Sequence, residues 1–388
     1  HQGEEDYDNL KIHSVIDTHP NATINFKKRT MTVRGVEEFD VSDSLNVHVV
    51  PDSSVIVILQ DRDIQFNGTV MAGNFEISGK EFTLKYDSFF ISLGRIDSIN
   101  FFVKEKNARG QEVRRKVNNS MVGTDSTAAA AAGLGDTSSS SGTLFISRAN
   151  NKSGKLDIPG YPRLDATSGG VIYFDRQEVL GGVYDRSMFF VVPPFKLDSL
   201  NHADPLSINF DGTFVSSGML PAIKEKLHTM PDKSLGFEHA IPQPGYQLYG
   251  GDGKLNGVLT MNNRGLRAVG EIDFLAARLP SRDFVFYPDS VVGRGNRASI
   301  REQQFGSVLF PQASLPDFQM RWLPKEDRML LKNLNAPFHF YDSTAQMQGV
   351  LTVSSKGVAG AGRLETRGTE LVSREMTFSG KDFSARHA

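Results

Sequence analysis

Tyr249 to Phe286 is written twice in this chain: shifted by 92 positions it falls, without a gap, on Tyr341 to Phe378. The first copy carries Gly257-Val258-Leu259-Thr260, Gly265, Gly270, Leu279, Ser281-Arg282 and Phe286. The second carries Gly349-Val350-Leu351-Thr352, Gly357, Gly362, Leu371, Ser373-Arg374 and Phe378. Self-similarity at a fixed offset marks a repeat architecture, in which each unit buries its apolar face against its neighbours. What recurs is glycines, a Val-Leu-Thr strand and a closing Phe, which suits backbone bends and packing. Charges do not recur in kind: Glu271 becomes Arg363 and Arg278 becomes Glu370. Ser281-Arg282 and Ser373-Arg374 are the exception, and read as a corner hydrogen bond.

The rest of the chain reads as strand after strand. Between Ala22 and Val103, apolar residues such as Ile24, Phe26, Met31, Val33, Val70, Ala72, Phe75 and Ile77 recur mostly every second position. The run Val55 to Leu59 suits a strand covered on both faces. The alternation slips at Gly73, Gly79 and Asp87-Ser88, where turns are expected. Two echoes extend the repeat: Ile64 to Thr69 matches Ile208 to Thr213, and Ser78 to Phe82 matches Ser379 to Phe383, as if a further unit began there. Asp-Ser pairs at Asp43, Asp52, Asp87, Asp97, Asp198, Asp289 and Asp342 punctuate turns, because the Asp side chain accepts from an amide two residues on. Short helices are expected at Pro221 to Leu227 and, more weakly, at Arg294 to Gln304. The fold expected is all-β: a right-handed β-solenoid, parallel β-helix-like, or a stacked β-coil, with long loops and the 92-residue step spanning several coils.

Gly123 to Gly142 interrupts the strands with low-complexity Ala128 to Ala132 and Ser138 to Ser141, and reads as a flexible loop. The organisation expected is a β-repeat region over 1–122, this loop over 123–142, a β region with long loops over 143–248 and the duplicated region over 249–388, the repeat regions forming one elongated array.

Composition narrows the function classes. A net charge of −2 gives no Lys/Arg excess for a nucleic-acid surface. With no cysteine, disulfides, thiolate-ligated zinc and thiol catalysis are excluded. No stretch approaches the roughly 20 apolar residues of a membrane-spanning helix. The polar start, His1-Gln2-Gly3-Glu4-Glu5, reads as a mature or excised segment of something longer.

Parallel β-helices host glycan enzymes, so carboxylates and exposed aromatics merit a search. Asp61 and Asp63, at i and i+2 on a strand, would project to one side and could do acid/base work on a glycan; the plainer reading is a polar edge. Tyr246, Tyr249 and Trp322 could stack on sugars, or pack at an edge as large aromatics generally do. No histidine pair has metal-ligand spacing, and His339, between Phe338 and Phe340, should point to solvent. Gly250-Gly251-Asp252-Gly253 lacks both the phosphate-loop and calcium-loop endings and reads as a tight turn. No cofactor is expected.

Phe66 to Phe75, Ser78 to Phe82, Tyr86 to Phe89, Gly181 to Asp185 and Phe284 to Ser290 together resemble segments of very long, uncharacterised cell-envelope proteins of Bacteroidota-type bacteria. The resemblance covers most of the chain outside Gly123 to Gly142. It implies a fragment of a larger β-repeat protein facing the periplasm or cell surface, and brings no catalytic residues. In style the chain is also similar to AsmA/TamB-like lipid-bridging proteins. The function expected is a non-catalytic structural or binding segment whose partners are other segments of its parent or envelope components. The alternatives are a lipid-shielding β-groove and a carbohydrate-active or carbohydrate-binding β-helix.

Overall fold

The structure, a computed structural model, describes residues 10–17, 19–107, 109–117, 121–122, 140–202 and 208–388. The Ala128 to Ala132 run falls outside them, whereas Ser140 already opens a strand that continues to Phe145. The chain divides into two compact units: His1–Phe174, Phe189–Phe214 and Lys224–Leu235 form the first, and Asp175–Met188, Val215–Ile223 and Gly236–Ala388 the second.

Five strands set the pattern of the first unit: β1 (Val47–Pro51), β2 (Val55–Ile58), β3 (Ile64–Ala72), β4 (Phe75–Lys85) and β5 (Phe90–Lys106). β1 and β2 are two halves of one ladder position. β1 lies along Gly68 to Ala72 of β3 and β2 along its start, with a 3-10 turn at Asp52–Ser54 between them. Of the apolar run from Val55, only Ile56 is fully buried.

The second unit is a meander of β6 (Leu235–Ala240), β7 (Tyr246–Leu248), β8 (Gly253–Asn262), β9 (Gly265–Phe274), β10 (Ala277–Tyr287) and β11 (Ser290–Ile300). It continues through β12 (Ala313–Leu323), β13 (Arg328–Asn333), β14 (Phe338–Phe340), β15 (Ala345–Ser354), β16 (Gly357–Thr366), β17 (Thr369–Phe378) and β18 (Phe383–Arg386). Here too a divided strand precedes each long hairpin. β6 and β7 share one side of β8, and β13 and β14 together fill the place between β12 and β15. The 92-residue step thus spans six ladder positions of one sheet, and not several coils.

The all-β class holds, but the parallel β-helix does not form: every described strand pairing is antiparallel. The reason lies in the connections. β8 and β9 are separated only by Asn263-Arg264, β15 and β16 by Ser355-Lys356, and β16 and β17 by Arg367-Gly368. Two residues can join only antiparallel neighbours, since a parallel pair needs a crossover of a dozen or more. Arg367 (φ 48°) and Gly368 (φ 74°) supply the two positive φ angles of a type I′ hairpin. Both expected helices are strands as well. Ile223–Thr229 occupies the first, and β11 with Gln303–Phe305 the second.

Each long hairpin carries a glycine facing a glycine: Gly68 opposite Gly79, Gly257 opposite Gly270 and Gly349 opposite Gly362. In the duplicated pairs all four sit at φ between 138° and 157°. A Cβ on Gly257 would lie 2.1 Å from the Val269 carbonyl oxygen, and one on Gly349 2.2 Å from that of Ala361. Beside each pair the ladder slips by a residue, a β-bulge that bends the strand and raises its twist. The burial pattern shifts phase at three outward doublets, Lys80-Glu81, Arg282-Asp283 and Arg374-Glu375. The slip at Gly79 is therefore a bulge within β4 and not a turn. Ser379 to Phe383, by contrast, is the turn into β18, so its likeness to Ser78 to Phe82 is not structural.

These bends let the second unit curl over its own apolar face. Phe274 of β9 and Trp322 of β12 are three strands apart, about 14 Å on a flat sheet at ~4.8 Å per strand. Their ring centroids lie 5.1 Å apart. Phe340 of β14 and Phe378 of β17, also three positions apart, stack at 4.2 Å. The Trp322 ring lies against Gly253 of β8, where any Cβ would collide with it.

The Gly257→Ala substitution should therefore cost about 2–3 kcal/mol, the strain of a conformation essentially reserved for glycine. Trp322, the chain's one tryptophan, reports on it directly. Its fluorescence midpoint in urea should fall for Gly257→Ala and stay put for Gly251→Ala, where a Cβ meets nothing closer than 3.8 Å.

Candidate functional site

The residues singled out for glycan contact are divided between the two units. Asp61-Arg62-Asp63 forms the turn between β2 and β3 and not a strand, with Arg62 at φ 62°. The two carboxylates therefore do not share a strand face. Asp61 is exposed, while Asp63 accepts from Lys85 Nζ (2.8 Å) and from the Tyr86 backbone N–H (3.1 Å), closing the corner. Asp63 is spent on structure.

Tyr246, Tyr249 and Trp322 all belong to the second unit. Tyr246 stacks on His239, with rings 12° from parallel and its hydroxyl 2.8 Å from Nε2. Trp322 is 1% exposed, with Tyr249 edge-on to it at 5.9 Å. The Trp322 ring is thereby closed to a sugar face, while Tyr249 is half-buried. His339 alternates with two buried phenylalanines as expected, but is half-buried instead of facing solvent.

Tyr249 follows β7 at φ 52° and sends its hydroxyl to two carbonyls in the turn joining β10 to β11, Tyr287 (2.7 Å) and Ser290 (2.9 Å). Tyr341 repeats this after β14 at φ 53°, reaching Ser379 (3.1 Å) and Asp382 (2.5 Å). A tyrosine peg thus pins the same distant turn in both copies. Tyr184, from the Gly181-Gly182 segment, inserts similarly: its hydroxyl donates to the Phe286 carbonyl (2.7 Å) and accepts from the Leu266 N–H (2.9 Å).

The corner hydrogen bond expected at the two Ser-Arg pairs is present, and it is bidirectional. Ser281 donates to the Arg294 carbonyl (2.6 Å) and accepts from the Asp283 N–H (3.0 Å). Ser373 makes the same two bonds, to the Arg386 carbonyl (2.6 Å) and from the Glu375 N–H (3.0 Å). The charges that change sign between copies turn out to be partners. Glu271 pairs with Arg278 (3.1 Å), and Arg363 with Glu370 (2.8 Å). The cross-strand pair has been kept and its polarity reversed.

Asp-Ser turn punctuation holds for Asp43, Asp87, Asp289 and Asp342; Asp52 opens a 3-10 turn, Asp198 lies in a connection, and Asp97 sits within β5. Among the described residues no group of three or more His, Asp or Glu is placed to hold a metal ion. His48 hydrogen-bonds Asp40 (2.7 Å) and Glu38 (3.1 Å) at the surface of the first unit.

Burial pushes the hydroxyl pKa of Tyr184 up to about 12, and burial likewise pushes Tyr341 up to about 12. A group with a raised folded-state pKa holds its proton more tightly folded than unfolded, so its stabilisation is complete below about pH 10 and is lost as pH rises toward 12. Urea midpoints followed through Trp322 should be level to about pH 10 and then decline. The decline should be shallower in Tyr184→Phe, even though that variant starts from a lower midpoint. In the ion pair, Glu271→Arg alone should cost about 0.2–1 kcal/mol, and adding Arg278→Glu should recover only part of it, because Arg278 also pairs with Asp273 (2.9 Å). A double-mutant cycle in urea, repeated at high salt where the coupling shrinks, checks this.

Searches of known protein families, of curated proteins and of solved structures found no match to this chain.

Proposed function

We propose that this chain is a non-catalytic structural segment of a large bacterial cell-envelope protein, built to extend a β scaffold and to abut neighbouring segments of its parent. The observation that carries the reading is the reversed ion pair. Glu271–Arg278 and Arg363–Glu370 occupy equivalent places with opposite polarity. A duplicated catalytic or ligand site needs a given charge at a given place, whereas a duplicated building unit needs only that facing charges attract. The Ser and Tyr hydrogen bonds, which fix backbone shape, recur with equivalent partners in both copies.

The proposed envelope setting, at the periplasm or cell surface, rests on the resemblance of Phe66 to Phe75, Gly181 to Asp185 and Phe284 to Ser290 to such proteins. The closed core also favours a scaffold over a lipid-shielding groove. Leu255, Leu259, Phe284, Phe286 and Phe340 are fully buried, so the apolar face is filled by its own side chains. A groove must leave that stripe reachable. A carbohydrate role is less favoured because Tyr249 and Trp322 are engaged in the core.

Native mass spectrometry of the chain expressed in bacteria tests the reading. The expected species is the bare 42.8 kDa polypeptide. Co-purified phospholipid that stays bound in stoichiometric amount through a high-salt wash, and so is held by its acyl chains, would sink the scaffold reading in favour of the lipid groove.

A further inference from the structure

The ladder between β10 and β11 is paired at its two ends, from Ala277 and Arg278 and again from Val285 to Tyr287, but not over Leu279 to Phe284. Ser281 spans this opening with its bond to the Arg294 carbonyl. Over it lies a depression of about 560 Å³ whose lining includes Ser281, Arg282, Arg294, Asn296 and Arg297 and no carboxylate. All three arginines are exposed. Arg297 is held at φ 58°, a left-handed conformation uncommon outside glycine.

The neighbouring acids are all committed elsewhere. Asp283 is gripped by two guanidinium nitrogens of Arg267. Glu271 pairs with Arg278. Asp317, opposite Asn296 in the register, accepts from the backbone N–H groups of Leu334, Asn335 and Ala336, and from the Asn335 side chain. Arg282, Arg294 and Arg297 therefore line one depression with no anionic partner among the described residues. Placing three like charges together costs energy that an anion would recover, and guanidinium forks suit tetrahedral oxyanions.

The duplication supplies a second, independent argument. Arg282 and Arg294 recur as Arg374 and Arg386, again flanking the serine clasp and again without an ion-pair partner among the described residues. The Glu271–Arg278 pair swapped polarity between copies, whereas these two positions recur as arginine. A charge with no internal partner has no structural reason to keep its sign. We infer that the arginine-lined opening between β10 and β11 is a binding site for a phosphate group, presented by a lipid headgroup or by a soluble phosphate ester. This goes beyond the scaffold reading and does not depend on it.

Equilibrium dialysis of the full chain against radiolabelled inorganic phosphate at low ionic strength tests the site. Saturable binding is expected, weakened at least ten-fold in the double variant Arg282→Gln/Arg294→Gln. The control Arg301→Gln/Arg321→Gln removes equal charge from exposed positions outside the depression, and should stay within two-fold of the parent. Trp322 emission verifies folding, and the single variant Arg297→Gln gives the same reading should the double variant unfold. No saturable binding, or an equal loss in the control, overturns the proposal. Phosphatidylcholine vesicles with and without phosphatidic acid separate the sources. Sedimentation only with phosphatidic acid, competed by phosphate, assigns a headgroup; phosphate binding without sedimentation assigns a soluble ester. Both outcomes uphold the site.

Discussion

Close contact between two facing backbones is the constraint on which the rest depends. At Gly257 and Gly270, and again at Gly349 and Gly362, each glycine Cα lies where a side chain would meet the opposite strand's carbonyl. Only glycine permits that approach together with the φ angles found there. The bend it allows turns a meander, which would otherwise present one wet apolar face, into a sheet that wraps its own Phe, Leu and Trp side chains. Trp322 against Gly253, and Phe340 stacked on Phe378, are consequences of that curl. Remove the bend and these pairs would sit too far apart to touch.

Energetics separate what the duplication kept from what it let change. The Tyr249 hydroxyl, the Tyr341 bond to Ser379 and the Ser281 and Ser373 clasps satisfy backbone groups partly withdrawn from water. Leaving a buried group unmet costs about 1–3 kcal/mol. These bonds recur atom for atom. The Glu271–Arg278 pair is more exposed, where an ion pair contributes about 0–1 kcal/mol and depends only on opposite sign. Its polarity was free to flip. The copies are identical where desolvation penalises error and interchangeable where water screens it.

Much of this was legible in the sequence: the strand class, the 92-residue step, most Asp-Ser turns and the corner bond at Ser281. Strand direction is also written there, in the two-residue spacers Asn263-Arg264 and Ser355-Lys356, which can join only antiparallel neighbours. The segment Pro221 to Leu227 read as helix because its apolar residues, Ile223 and Leu227, are four apart, a spacing that period two and period 3.6 both satisfy. The third glycine pair does not align with the other two, because the Gly68–Gly79 hairpin is one residue shorter on each arm than its counterparts. The tyrosine pegs could not be read at all, since each joins groups about forty positions apart that only the curl brings together. Tyr249 and Trp322 looked like sugar platforms for the same reason: nothing local says that a ring lies inside.

The serine clasp links the scaffold to the arginine-lined opening. Ser281 accepts from the Asp283 amide and donates to the Arg294 carbonyl, so one hydroxyl fixes the backbone on both sides of the break in the ladder. Arg282 is its neighbour in sequence, and Arg294 carries the carbonyl it holds. The bulge that lets the sheet bend thereby also turns two guanidinium-bearing residues outward at a place where the ladder is open. A regular ladder would pair those backbone groups and alternate the side chains between faces, separating them. The geometry that closes the core on one face thus creates, on the other, a place where unpaired positive charge collects. Its sign is retained in the second copy, although the ion pair a strand away was reversed.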